Sequence, residues 1–238
     1  MPLSSRPPFR AIFFDAGNTL LRMNYDAISE QLATLGHPIP PETLQHAEWR
    51  ARVRLDAHLL DGSSTESVST ADLYLRYMLE EAGRSDASLV DAMGRWRREY
   101  NAPVGLFNTA DPEAEAALLL ARTRGLGVGV ISNSNGWVEW ILESVGLRRH
   151  LDFVLDSHVV GIEKPHAAIF EMALARAGVH AAEALYVGDL YAVDVLGARR
   201  AGLTPLLLDP GGCWGRRDCP AAPSALAAVE WALDGTRN

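Results

Sequence analysis

Ala11-Ile12-Phe13-Phe14-Asp15-Ala16-Gly17-Asn18-Thr19-Leu20 decides the fold. Four apolar residues in a row end on a carboxylate and a small-residue turn. Such a short continuous run fits a strand buried on both faces, where an alternating pattern would mark a half-exposed one. Runs of the same kind recur at residues 128–131, 153–155, 184–187 and 205–208. Helical spacing fills the gaps between them. Asp111-Pro112-Glu113 reads as an N-cap with proline behind it, opening a helix that stops near Gly125. Further helices are expected over 137–145, 167–177 and 193–201, each closed by a glycine (Gly146, Gly178, Gly202). Strands alternating with helices imply a mainly parallel sheet covered on both faces, a Rossmann-like α/β core.

Residues 22–107 break the alternation. They hold no convincing strand and read as four helices: 25–35 stopped by Gly36, a second after Pro40-Pro41 to about 60, a third over 71–82 stopped by Gly83, and a fourth over 86–100 ahead of Pro103. A polar link, 61–70, separates the second from the third. The chain is therefore divided into a core of residues 1–21 and 108–238 and an inserted four-helix domain of residues 22–107, with hinges near 21–24 and 101–109. A final helix is expected over 223–233.

The composition narrows the function. The chain has 238 residues, 48% hydrophobic and 22% charged, with a net charge of −8. An acidic balance disfavours nucleic acid and anionic membrane, both of which select clustered Lys and Arg. No apolar run approaches the roughly 20 residues that cross a bilayer. The first ten residues carry three prolines and two arginines and no leader-like apolar stretch, so a cytoplasmic protein is expected. Cys213 and Cys219 make neither a disulfide framework nor a zinc pattern and read as two reduced thiols on a loop. Lys164 is the only lysine among 22 basic residues; the rest are arginine. It marks a place where a compact point charge is wanted and the wide guanidinium fork will not fit.

Ligands bind open parallel sheets at the carboxyl ends of strands. Four such ends carry polar residues here: Asp15-Ala16-Gly17-Asn18-Thr19; Ser132-Asn133-Ser134-Asn135-Gly136; Gly161-Ile162-Glu163-Lys164-Pro165; and Gly188-Asp189 followed by Asp194. These four motifs, in this order and with a helical insertion after the first strand, resemble the haloacid dehalogenase-like hydrolase superfamily, its helical-cap subfamily in particular, from about Phe9 to Asp209. The resemblance implies Asp15 as nucleophile, since a carboxylate can attack a phosphoryl group or an activated carbon and form a covalent intermediate. It implies Ser132 and the backbone N–H of Asn133 as holders of a substrate anion, and Lys164 as the cation that neutralises developing charge. Asp189 and Asp194 beside Asp15 would repel one another without a cation. Mg²⁺, a hard ion that takes oxygen ligands, is implied, held by Asp15, the carbonyl of Gly17 and Asp189, with Asp194 behind them.

One departure bears on the reaction. The phosphatases of the superfamily usually carry a second Asp two positions after the nucleophile, as general acid/base; here that position is Gly17, followed by Asn18. Losing such a group typically lowers the rate by about 10²- to 10⁴-fold. The leading expectation is a Mg²⁺-dependent phosphatase of a small phosphorylated molecule, in a monomer or homodimer, with its acid/base supplied elsewhere or its leaving group needing little protonation. The alternatives are a binding or regulatory protein with little turnover, and halide displacement from a 2-haloacid, which needs no proton. A phosphonate hydrolase with a lysine Schiff base in the cap is disfavoured, because residues 22–107 contain no lysine. Tyr25, Asp26, His37, His46 and His58 are weak candidates for the missing group, and Arg22 and Asn24 could flank the entrance. Trp137 and Trp140 are expected to pack on the sheet, and Trp49 and Trp96 in the helical insertion.

Overall fold

The computed structural model describes residues 9–234; the reading of the first residues as leader-free falls largely outside them. Six strands form one parallel sheet in the order β5-β4-β1-β6-β7-β8. They are β1 (Ala11–Phe14), β4 (Gly127–Ser132), β5 (Phe153–Asp156), β6 (Ala184–Gly188), β7 (Thr204–Leu208) and the short edge strand β8 (Ala221–Ala222). β1 is central, with Phe14 opposite Val130 of β4 on one side and Val187 of β6 on the other. Its residues alternate between two cores. Ile12 and Phe14 pack with α5 (Ala114–Thr123), α6 (Val138–Ser144) and α10 (Ala225–Leu233). Ala11 and Phe13 pack with α8 (Ala167–Ala177) and α9 (Leu196–Arg200) on the other face. A short helix α7 (Ser157–Val160) follows β5. The polar ends of β1, β4 and β6 therefore lie along one edge of the sheet, and Gly161-Ile162-Glu163-Lys164-Pro165 follows β5 through α7 rather than directly.

Between β2 (Leu21–Arg22) and β3 (Thr109–Ala110), which pair antiparallel, lie four helices: α1 (Tyr25–Thr34), α2 (Pro41–Leu59), α3 (Val68–Glu81) and α4 (Ala87–Tyr100). They bury an apolar cluster of their own, including Ile28, Leu32, Leu44, Met78 and Met93. Asn24, Ser67 and Asp86 accept the backbone N–H groups of Ala27, Thr70 and Leu89 and so fix three helix starts. A second, smaller cluster joins this layer to the core: Leu55 and Leu59 of α2 pack on Ala192 and Val193.

Several boundaries shift for local reasons. The Ser67 cap starts α3 at Val68, three residues before its expected start. Asp111 accepts from the Glu113 N–H in a turn, and α5 begins only at Ala114. The helix expected over 193–201 opens as a π-helical turn, Tyr191–Val195, before α9. Trp137 and Trp140 do not pack on the sheet: they are 39% and 52% exposed and meet edge to face at 6.0 Å. The apolar spacing of that helix is met by Val138, Ile141 and Leu142, which leaves both indoles outside. Cys213 and Cys219 are free. No helix among the described residues is long and apolar enough to cross a membrane.

Candidate active site

Asp15 follows the last residue of β1, and its backbone N–H donates to the Val187 carbonyl of β6. The Lys164 ammonium meets it at 2.5 Å, contacts Asp194 at 2.8 Å and donates to the Tyr186 hydroxyl at 2.9 Å. All four side chains are buried. Asp194 is held twice more, by the Tyr186 hydroxyl and by the Leu190 N–H. The π-helical turn carries it in so closely that a Cβ on Gly188 would stand 2.4 Å from its carboxyl carbon, so only glycine fits there. Lys164 is thus a point charge clamped between two carboxylates, a place with no room for a guanidinium. Burial works against its charge, but Asp15 and Asp194 outweigh burial and hold its pKa above the usual lysine range. Burial, with Asp194 adding to it, raises the Asp15 carboxyl to about 6 despite the neighbouring ammonium.

Ser132 ends β4 and is buried beside this pair. The Asn133 side chain joins the second motif to the third, donating to the Lys164 carbonyl at 2.9 Å and accepting the Lys164 N–H at 2.7 Å. It also donates to the Thr65 hydroxyl at 3.0 Å, while the Ser64 hydroxyl donates to Glu163 at 2.8 Å. The link between α2 and α3 is therefore fastened to the two loops that carry Ser132 and Lys164.

The comparisons with known proteins give the family. A family model for haloacid dehalogenase-like hydrolases matches residues 9–202. The chain belongs to the haloacid dehalogenase-like hydrolases. It is 30% identical over 214 residues to the human "haloacid dehalogenase-like hydrolase domain-containing protein 3", covering 87% of this chain and 84% of that protein. It is 41% identical over 140 residues to a phosphoserine phosphatase of Thermus thermophilus, covering 57% of this chain and 53% of that one. Its fold matches a crystal structure of an L-2-haloacid dehalogenase with a TM-score of 0.61 and 27% identity, over 94% of this chain and 98% of the other.

Within that family frame, the surroundings of Asp189 include residues that the sequence did not single out. Arg52 of α2, almost wholly buried, lies 3.4 Å from Asp189 and pairs with the equally buried Glu48 through contacts of 2.5 and 2.8 Å. Asn18, in the left-handed region at φ 53°, donates to Asp189 at 3.1 Å and also approaches Tyr74 and Glu48. Asparagine tolerates that backbone conformation where glycine is usual. Tyr25 and Tyr74 donate their hydroxyls to Glu48. Burial and the nearby carboxylates raise Asp189 well above the usual carboxyl range, although Arg52 pulls the other way.

The cluster holds four carboxylates (Asp15, Glu48, Asp189, Asp194) against two cations (Lys164, Arg52), so it is short of two positive charges. One oxygen from each of Asp15, Asp189 and Asp194 lies within 4.8 Å of the others. Lys164 takes one oxygen of Asp15, and Arg52 and Asn18 take one of Asp189. The second oxygen of each remains free of side-chain donors among the described residues. Oxygen-only donors with a deficit of two charges suit a hard divalent ion. Both oxygens of Asp194 are already engaged, one by Lys164 and Tyr186 and the other by the Leu190 N–H.

A cavity of about 540 Å³ opens above this floor, between the sheet edge and the helical layer. Asp15, Gly17, Asn18, Ser132, Asn133, Lys164, Asp189 and Asp194 all reach it. Its upper wall is apolar at Leu55, Leu75, Met78 and Phe107, with Arg97 and Arg98 at one side sharing Asp72 as their acidic partner. A Cβ on Gly17 would meet the Phe107 ring at 3.5 Å, so that ring borders the place of the family's usual second Asp. None of Tyr25, Asp26, His37, His46 and His58 lines the cavity. Nor does Arg22, and Asn24 caps α1 and donates to Tyr100 and Asn108. Trp96 packs with the helical cluster beside Tyr100, and Trp49 stacks on His46 near Gly211.

Proposed function

We propose that this hydrolase is a Mg²⁺-dependent phosphatase acting on a small phosphorylated molecule through an aspartyl-phosphate on Asp15. The observation that carries the reading is the two-charge deficit of the buried cluster around Asp15, open to a cavity through one oxygen each of Asp15 and Asp189. Asp15, Asp189 and the Gly17 carbonyl would hold Mg²⁺, which supplies charge neutralisation for the nucleophile and the phosphoryl oxygens.

The chain's own groups do the rest. Asp15 attacks phosphorus, and the ester P–O bond breaks as the Asp15–P bond forms. The Ser132 hydroxyl and the Asn133 N–H bind phosphoryl oxygens, and Lys164, fixed by Asp194 and Tyr186, holds its charge against the developing transition state. Water then attacks phosphorus, releases phosphate and returns the Asp15 carboxylate. The helical layer acts as the cap: its apolar wall excludes water, and the one positive charge by which Arg97 and Arg98 exceed their shared partner Asp72 favours a substrate with a second anionic group.

Gly17 also permits halide displacement, and an L-2-haloacid dehalogenase shares the fold. The charge deficit speaks against it, because halide displacement brings no cation to the cluster, whereas the phosphatase reading places Mg²⁺ there. The test is hydrolysis of aryl and alkyl phosphate monoesters, with Mg²⁺ and with chelator, beside Asp15→Asn. Mg²⁺-dependent release of phosphate that Asp15→Asn abolishes is the expected result. Chloride release from 2-chloropropionate in chelator, with no phosphate release, would overturn the reading. Saturable Mg²⁺-dependent binding of phosphate without turnover would replace it with a binding role.

A further inference from the structure

Gly17 leaves the reaction without its usual proton donor, and the cavity offers one replacement. Of the titratable side chains lining it, Asp15, Lys164, Asp189 and Asp194 form the charged floor. Arg97 and Arg98 are committed to Asp72, and the Tyr74 hydroxyl to Glu48. The remaining carboxyl in the cavity is Glu66, whose side chain takes no hydrogen bond among the described residues.

Its place is built, although it lies in the polar link between α2 and α3. Thr65 is tied to Asn133, next to Ser132, and Ser64 to Glu163, next to Lys164. The Glu66 N–H donates back to the Ser64 hydroxyl at 3.1 Å. Ser64 and Thr65 are thus fastened across the cleft to the loops that hold the anion-binding hydroxyl and the ammonium, and Glu66 is tied back to Ser64. Asp15 lies in the floor and Glu66 on the side of the helical layer. In-line displacement sends the leaving oxygen away from the nucleophile, which is toward that layer. We propose that Glu66 is the general acid/base of this site, protonating the leaving oxygen as the P–O bond breaks and then taking a proton from the water that attacks the aspartyl-phosphate. The proton given up in the first step is recovered in the second, so Glu66 ends each cycle as it began.

The groups facing Glu66 suit that role. Glu66 is exposed where it lines the cavity; desolvation there, with the Glu163, Asp156 and Asp15 carboxylates nearby, pushes its carboxyl up to about 7, and Lys164 tempers the rise. A carboxyl poised there can act in both directions near neutral pH.

The proposal rests on the phosphatase reading, and the test separates the two. Wild type and Glu66→Gln are assayed with Mg²⁺ on a series of phosphate monoesters running from nitrophenyl to alkyl leaving groups. The expected result is a loss of about 100-fold or more on alkyl esters and a much smaller one on nitrophenyl phosphate. The dependence of kcat/KM on leaving-group pKa steepens, and the fall of wild-type kcat/KM at alkaline pH disappears. In Glu66→Ala, added formate restores part of the alkyl-ester turnover, which a merely structural role would not allow. An equal loss on every ester, or alkyl turnover in Glu66→Gln within about threefold of wild type, would overturn the assignment while leaving the phosphatase standing. Wild type inert on the whole series would remove the phosphatase reading and Glu66's role with it.

Discussion

Replacing Arg52 by methionine tests whether the buried bridge between α2 and the sheet edge exists in solution. The guanidinium is 3% exposed and grips Glu48, 0% exposed, by two contacts at 2.8 and 2.5 Å. Removing it leaves the Glu48 carboxylate buried, with only the hydroxyls of Tyr25 and Tyr74 and the Asn18 amide as donors. Breaking one side of a buried pair costs about 3–5 kcal/mol, mostly the penalty of the charge left behind. In a chain of this length each kcal/mol moves the melting temperature by roughly 2–4 °C, so the expected fall is about 6–20 °C. The double variant Glu48→Gln with Arg52→Met removes both charges and should recover much of that loss. The single variant also deepens the charge deficit of the cluster from two to three, so Mg²⁺ should raise its melting temperature more than that of wild type. Differential scanning calorimetry with and without Mg²⁺ measures both effects. A fall below about 2 °C, with no larger response to Mg²⁺, would refute the reasoning. It would mean that Arg52 and Glu48 are solvated and that the helical layer does not close on Asp189.

Asp15 supplies a pH prediction for the metal-free protein. Its folded pKa of about 6 against an ordinary 3.8 means that the folded state keeps a proton that the unfolded chain loses in that interval. Stability in chelator should therefore fall as pH rises from about 4 through 6, by about 3 kcal/mol from Asp15 alone, and Mg²⁺ should reverse the fall at pH 7 far more than at pH 5 in thermal melts. Gly188→Ala should push Asp194 away from Lys164 and lower kcat by about 100-fold or more, with Mg²⁺-induced stabilisation retained; wild-type turnover in that variant would show that Asp194 does not hold the ammonium in place. Gly17→Asp, for which the Phe107 ring leaves ordinary contact space, should return part of the alkyl-ester turnover when added to Glu66→Gln, and no recovery in a steady-state assay would count against a proton-transfer defect in that variant.

The core was legible because its signals are local. A strand buried on both faces must be continuously apolar, and the carboxylate ending β1 lies where a parallel sheet presents its ligands. The five runs of that kind are the five long strands, and the glycines that close their helices stand in the left-handed region at Gly146, Gly178 and Gly202. Lys164 was legible for a related reason: in a chain that otherwise uses arginine, its solitary place fits a slot between two carboxylates only as wide as an ammonium. The edge strand β8, two residues long and paired only with β7, carries no periodicity to read.

The residues that the sequence did not mark are those whose role depends on what faces them across the cleft. Glu48 and Arg52, four apart on a helix, match any solvated ion pair, and nothing local says that this face of α2 turns inward onto Asp189. The same holds for Asn18, whose side chain reaches Asp189, Tyr74 and Glu48, three residues far apart in the chain. Glu66 lies in a stretch of serine and threonine that reads as a linker, and the histidines of the insertion drew attention as acid/base candidates because of their chemistry. A general acid, however, is chosen by position before residue type: it must stand across the phosphoryl group from the nucleophile. Among the carboxyls lining the cavity, Glu66 alone stands apart from the charged floor, in the segment that Asn133 and Glu163 fasten over the site. The absent Asp at position 17 and the tethered Glu at position 66 are thus two sides of one arrangement. Phe107 packs against the turn beside the nucleophile, and the proton comes from the link between α2 and α3.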